Sequence, residues 1–349
     1  MSVYVQLDPI EQKATWSPSS GVTWNLNMVS KDFVANSLSI TANVLVNLTN
    51  FNGTYLYLDP LVGAHGFFTD FVQQTDNLGM MKSDSNYGRY VKMVRESNLD
   101  KSTTAFMGKE MCLGTTTDFR YFNGNSFKIK PLIMLNGSNV NLSYEKTGNI
   151  TISTWIQPAN RVFYTDATNV EFTYTLTNLK LQYAVLPSKG YKGKVLFQSY
   201  HSEIPSLVST NQSFQNNIGN MAVGSVACSF QRATSAQNAT INPFILENIG
   251  VKQVDFLFND LVNGLFSYSL KKPEEIILNG LSLNMNNLTS FYPDASDLNQ
   301  YCPLVGLKFP NALDMSIEKF TLNVQSTIPD NTPANTFNAH LFFSGVKIF

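Results

Sequence analysis

Three histidines, His65, His201 and His340, are the side chains of this 349-residue sequence best suited to hold a metal or move a proton near neutral pH. Each lies more than 100 residues from the next, so no local spacing of the kind metal sites use joins them. His65 stands in GAHGFFTDF (63–71), with Gly63 two positions before it and Gly66 directly after. Glu274 with Glu275, and Asp294 with Asp297, are carboxylate pairs that acid/base chemistry requires. They fall in KKPEEI and YPDASDLN, turn-like contexts where acidic groups cap or solvate loops. Cys112, Cys228 and Cys302 are odd in number and form no CxxC. The expectation is reduced thiols with no disulfide framework. HExxH, GxSxG, GxGxxG and GxxxxGK[ST] are all absent. The sequence therefore predicts no catalytic residue, no metal site, no cofactor and no enzyme.

Composition narrows the classes further. Charged residues make up 14% of the chain, 24 Lys and Arg against 25 Asp and Glu, for a net charge of −1. No basic arm or Lys/Arg run is present, which argues against direct nucleic-acid binding, a function that needs a clustered positive face. A near-zero net charge also leaves little repulsion between copies. The N-terminus has neither a basic n-region nor an apolar h-region, so no signal peptide is expected. No run approaches 18 apolar residues, and the N-x-S/T sequons are expected to be unglycosylated.

The elements that position these residues read mostly as strands. Leu38, Ile40, Ala42, Val44, Val46 and Leu48 alternate with polar residues through 38–48, as a half-buried strand does. Ile150, Ile152 and Ile156 share a face in 149–156. In 170–185, Val170, Phe172, Tyr174 and Leu176 hold one phase, then Leu179, Leu181, Tyr183 and Val185 hold the other. A flip inside one long strand predicts a bulge near Thr177-Asn178. Pro187, Gly190 and Gly193 then break the alternation, placing a domain boundary near residue 190. The second half repeats the style. Ala222, Val226, Cys228 and Phe230 share a phase, as do Val254, Phe256 and Phe258. So do Phe266, Tyr268 and Leu270, then Phe320, Leu322 and Val324, and finally Phe337, Ala339, Leu341 and Phe343. About eight strand candidates per half predict an all-β chain with a sandwich or jelly roll in each half.

Helical signals gather in the first half. Ala64, Phe67, Phe68, Phe71 and Val72 fit one face of a short helix, with Gly63 and Gly66 easing a tight turn into it. Tyr87, Tyr90, Val91 and Val94 fit a second helix, capped by Asp84 or Ser85. The mixed polarity of residues 1–20, with Pro9 and Pro18, suggests an arm that could reach a neighbour or a membrane.

The order of these stretches resembles the double jelly-roll major capsid proteins of the tectivirus–adenovirus lineage. The resemblance is carried by GAHGFFTDFVQQTDNLGMMKSDSNYGRYVKMV (63–94), FKIKPLIMLNGSN (127–139) and VEFTYTLTNLKLQYAVLP (170–187), then by QSYHSEIPSLV (198–208) and LDMSIEKFTLNVQSTI (313–328). It implies two tandem eight-stranded jelly rolls with short helical insertions. The first spans 1–190, with an N-terminal arm and a helical insertion at about 61–97; the second spans 191–349. It further implies a homotrimer forming pseudo-hexagonal capsomers of an icosahedral shell, with neighbouring capsomers and minor capsid or vertex proteins as partners. An internal viral membrane often underlies such shells. Localisation follows as the virion, with assembly in the host cell cytoplasm. The alternative is a two-β-sandwich carbohydrate-binding protein or peptide-N-glycanase-like enzyme, with Trp16, Trp24 or Trp155 stacking on sugars.

Overall fold

Alternating apolar residues bury one face of each strand, and pairs of such faces close over two cores. The computed structural model describes residues 2–96, 108, 111–112, 118–121, 126–168, 172–216, 218, 221–235, 238–260, 264–272, 275–276, 279, 283, 304–314, 318–328 and 336–349. Among these, sixteen principal strands carry the architecture. The first eight are β1 (Val3–Leu7), β2 (Gly21–Leu26), β3 (Ser39–Leu48), β4 (Phe68–Thr75), β5 (Gly79–Asp84), β6 (Ser126–Ile129), β7 (Ile150–Ile156) and β8 (Phe172–Pro187). The second eight are β9 (Leu196–Glu203), β10 (Asn211–Asn216), β11 (Ala222–Arg232), β12 (Val251–Asp260), β13 (Gly264–Leu270), β14 (Val305–Asp314), β15 (Glu318–Ser326) and β16 (Phe337–Ile348).

All their pairings are antiparallel. One sheet of the first sandwich runs β1-β8-β3-β6 and the other β2-β7-β4-β5. In the second sandwich the orders are β9-β16-β11-β14 and β10-β15-β12-β13. Adding eight to each strand number of the first sandwich gives the second. The two halves thus share one topology, the jelly roll of two facing four-stranded sheets, although their sequences scarcely repeat. Short additions flank the first sandwich. Lys31–Phe33 extends the β8 side, and Leu56–Leu58 pairs with Phe163–Thr165 as a separate ribbon.

The phase flip in β8 is a bulge. Register with β3 shifts between Thr177 and Lys180, and Asn178 takes φ 51°, a left-handed conformation that asparagine tolerates. Leu176 and Leu179 are both buried on either side of it. A second bulge corrects the first helix expected from the sequence. Only Gly63–Phe67 is helical, as a 3₁₀ turn, and Phe68–Thr75 is β4. Thr154 opposes Phe71 while Ile156 opposes Phe68, so β4 carries one extra residue there. That residue turns Phe68 and Phe71, three apart, toward the same core. A bulged strand thereby imitates helical spacing. Gly63 adopts φ 53° at the start of the turn, while a Cβ on Gly66 would lie 3.2 Å from the Phe244 ring.

The second expected helix forms as α1 (Tyr87–Glu96). Its first turn closes on the carbonyl of Asn86, which accepts from the N–H groups of Arg89 and Tyr90. Ser85 instead turns its hydroxyl to Ser202, so it is not the cap. Within the N-terminal segment, residues 3–7 form β1, antiparallel to β8 with Val3 opposite Val185 and Leu7 opposite Leu181. Two smaller corrections concern the second half. A bulge between Val223 and Ser225 puts Val223, not Ala222, in the core. Tyr268 is 53% exposed because β13 is the outer strand of its sheet, beyond the cover of the facing one. Val170 and Phe266 carry expectations that fall on residues, or side chains, outside those described.

Candidate assembly surfaces

The residues singled out for chemistry do not converge. His65 is fully buried. Arg95, which can only donate, places Nη2 2.9 Å from His65 Nε2, so the ring proton sits on Nδ1 and is donated to Tyr87 Oη at 2.6 Å. Tyr87 Oη also accepts the Leu132 N–H at 3.1 Å. The group is a polar tie joining the 3₁₀ turn, α1 and the 127–139 segment, with no free position for a substrate. His201 pairs with Glu203 at 3.2 Å on β9. His340 lies on β16, buried, with neither ring nitrogen hydrogen-bonded.

Glu275 makes a 4.0 Å exposed contact with Lys272, while Glu274, Asp294, Asp297 and Cys302 lie outside the described residues. Cys112 and Cys228 are free and buried, and burial pushes the Cys112 thiol up to about 12. Trp16 and Trp24 are core side chains, and only Trp155 is exposed. Among the described residues no three His, Cys, Asp or Glu side chains cluster as a metal site, and no helix is long and apolar enough to cross a membrane.

Burial first, and a neighbouring arginine second, hold both His65 and His340 well below the usual imidazole value. Each therefore stays neutral in the folded chain but protonates in the unfolded one. With folded values depressed, the stability they contribute is complete above pH ~6.5 and is lost as pH falls. Between pH ~6.5 and ~5.5 the free energy of unfolding should drop by up to about 1.4 kcal/mol per pH unit for each histidine. In His65→Gln the slope should fall to roughly half. Denaturant titrations across this range measure it, and a flat profile in the unsubstituted protein would count against neutral burial.

What the geometry does build is a joint between the sandwiches. The apolar stripe of α1 was legible; its opposite face was not. Arg89, 5% exposed, donates Nη1 to Ile245 O at 3.0 Å and Nη2 to Pro243 O at 2.9 Å. Asp59 accepts from Leu61 and Val62 N–H, pairs with Lys92 at 3.1 Å and receives Asn242 Nδ2 at 2.8 Å. Phe244 is wedged against Gly88, where an added Cβ would come within 2.6 Å of its ring. Tyr90 stacks on Tyr200 at 3.6 Å between centroids and meets Phe342 at 5.8 Å. Met93, Tyr200, Ala227, Leu283, Leu304 and Phe342 make a third apolar cluster here, separate from the two sandwich cores. β16 is accordingly buried on both faces: Ala339, Leu341 and Phe343 enter the second core while Phe342 enters the joint. Lower down, Asn139 and Leu196 exchange two hydrogen bonds, and a Cβ added to Gly137 would come within 2.8 Å of Gln198 Cβ.

The outer surfaces are of two kinds. β1, β6 and β14 are sheet margins, and the β1 side leaves Val3 60%, Tyr4 78% and Ile10 52% exposed. Strand margins with exposed apolar side chains are pairing liabilities unless something covers them. The second kind is the loop-bearing end of each sandwich. In the second sandwich the β11–β12 connection, described at 233–235 and 238–250, stands at the end opposite the β10–β11 connection and is the longer of the two. In the first, α1 and the Leu56–Leu58 ribbon belong to the long-connection end. Loops of this kind carry function while the strands stay rigid.

No protein-family model and no curated protein matches the sequence. Solved structures do match. The Faustovirus major capsid protein superposes with a TM-score of 0.63 at 9% identity, over 100% of this chain and 90% of that one. PBCV-1 VP54, fitted into a reconstruction of the virophage Sputnik, gives 0.62 at 8% identity, over 100% and 95%. The STIV MCP gives 0.51 at 8% identity, over 99% and 97%.

The fold is the double jelly roll.

Identities this low carry the architecture and nothing finer. A match to PNGase F from Flavobacterium meningosepticum has a TM-score of only 0.24 and gives the sandwich-enzyme alternative no support.

Proposed function

We propose that this double jelly roll is a viral major capsid protein, the structural subunit of an icosahedral shell. The observation that carries the reading is the same eight-stranded sandwich built twice and locked by a buried joint, with full-length likeness to solved capsid proteins. Two equivalent sandwiches per chain give six per trimer, so a homotrimer has the pseudo-hexagonal outline that tiles a closed surface. Rigid sandwiches suit this task, because a subunit that flexed at its joint would blur every contact beyond it. Trimer formation covers exposed strand margins such as the one bearing Val3 and Tyr4. Weak contacts between capsomers then add up through their number.

Within this reading the jelly rolls divide near residue 190. The partners are neighbouring capsomers, minor capsid or vertex proteins and an internal viral membrane. The protein resides in the virion after assembly in the host cytoplasm, and it is not an enzyme. The near-balanced charge supports a shell that does not itself condense the genome. Light scattering on the purified protein should give three times 38.9 kDa, and negative-stain images should show six-lobed particles. A protein that stays monomeric at all concentrations and forms no hexagonal particles would overturn the proposal.

A further inference from the structure

Beside the joint lies a cavity of about 410 Å³, walled by both sandwiches. Thr69 and Asp70 of β4, the start of α1, and Gln157 and Arg161 line one side; Gln231, Pro243, Phe244, Asn338 and His340 line the other. Its size is that of a small-molecule site. The capsid reading assigns it nothing.

Its walls hold polar groups that the protein leaves unused. His340 is 7% exposed, and neither nitrogen has a partner. A neutral imidazole offers one donor and one acceptor. Gln157 Oε1 is a buried acceptor without a donor. Asp70 Oδ1 takes only the Asn86 N–H, at 3.2 Å, and burial raises its carboxyl above the ordinary range. Arg161 stands exposed at the rim. Unmet buried polar groups are costly unless something completes them.

The inventory selects among ligands. Inorganic phosphate brings mainly acceptors and would set them against Asp70 and Gln157 Oε1. A divalent cation seeks acceptors only, and would face the buried Arg89 with a single carboxylate in reach. A hydroxyl donates and accepts at once, so a ring of neighbouring hydroxyls meets the imidazole, the amide oxygen, the carboxylate and the guanidinium together. Phe244 adds an apolar side chain to the lining. We propose that this cavity binds a neutral, hydroxyl-rich ligand, a saccharide unit, clamped between the two jelly rolls.

The test is calorimetric titration and ligand-observed NMR with glucose, galactose, mannose and N-acetylglucosamine, alongside inorganic phosphate and calcium as comparison probes. At least one saccharide should bind in the millimolar range or tighter. Asp70→Ala and His340→Phe should each weaken it by about tenfold or more, while Trp155→Ala, on the exposed sheet face, leaves it unchanged. Thermal unfolding verifies that each variant is folded. Should His340→Phe fail to fold, Asp70→Ala and the rim variant Arg161→Ala carry the comparison. No saccharide binding, binding of phosphate or calcium instead, or a saccharide site lost in Trp155→Ala and kept in Asp70→Ala would overturn the proposal. The oligomeric state of the same samples is read separately, so this outcome does not decide the capsid reading.

Discussion

Replacing Arg89 by methionine should lower the free energy of unfolding by about 2–4 kcal/mol. Methionine keeps most of the aliphatic bulk, so the loss isolates the guanidinium. That group spans the joint, donating from α1 to Ile245 O and Pro243 O. Burial lowers its own ionisation to about 10, opposed by Asp59 and Glu247, so it remains charged at neutral pH. Hydrogen bonds from a charged donor contribute about 1.5–3 kcal/mol each. Pro243 O keeps a bond from Gln231 Nε2 at 2.9 Å, but for Ile245 O the Arg89 bond is a main partner. Part of the loss is returned because a buried charge no longer has to be desolvated. Guanidinium denaturation measures the difference, with Arg161→Met as the exposed control expected within about 0.5 kcal/mol. A second readout separates this from a general packing defect. Arg89 helps hold His340 neutral, so Arg89→Met should let His340 protonate at higher pH and flatten the acid dependence of stability. An Arg89→Met protein as stable as the parent would mean that the joint is held by its apolar cluster alone.

Much of the architecture was legible because a sandwich strand shows its inward face in every second residue. Ile40, Ala42, Val44 and Val46 announce β3 in this way, and all four are buried. The bulge in β8 was legible too, since an extra residue reverses the phase of everything after it. The same physics misled at 64–72. There the bulge stood near the strand's start, with too few residues ahead of it to establish a phase, and Phe67, Phe68 and Phe71 read as a helix. The equivalence of the two sandwiches was almost invisible, because topology constrains only which positions are apolar, and many apolar residues satisfy it. The joint and the cavity were invisible for a different reason. Arg89 meets carbonyls more than 150 residues away, in a loop segment, 233–250, that has no periodicity to read. His340 looked like one more outward residue on an alternating strand. Its outward face became an inward one only when the first sandwich packed against it.

The other large effect lies in the first core. Phe67 is fully buried at the end of the 3₁₀ turn, where four aromatic rings surround it. Phe127 stacks at 5.3 Å, Tyr174 lies at 5.2 Å, Phe163 at 5.8 Å and Phe119 at 6.4 Å. These rings come from β6, β8, the Phe163–Thr165 ribbon and the 118–121 segment, so this single side chain ties the β1-β8-β3-β6 sheet to the long-connection end. Truncation to alanine removes the apolar burial and leaves a void that four rigid rings fill poorly. Phe67→Ala should therefore cost about 3–5 kcal/mol, while Phe67→Leu, which keeps most of the volume, should cost about 1–2 kcal/mol. Trp155→Ala removes a larger ring from an exposed position and should cost under about 1 kcal/mol. Denaturant unfolding of the three variants ranks them. The ordering, more than any single value, tests the packing, because Phe67 plugs the end of the sandwich and Trp155 does not. If Phe67→Ala and Trp155→Ala proved equally mild, the end of the first sandwich would have to be loose enough to collapse around the gap. A loose end could not hold α1, and with it the joint, in a fixed place.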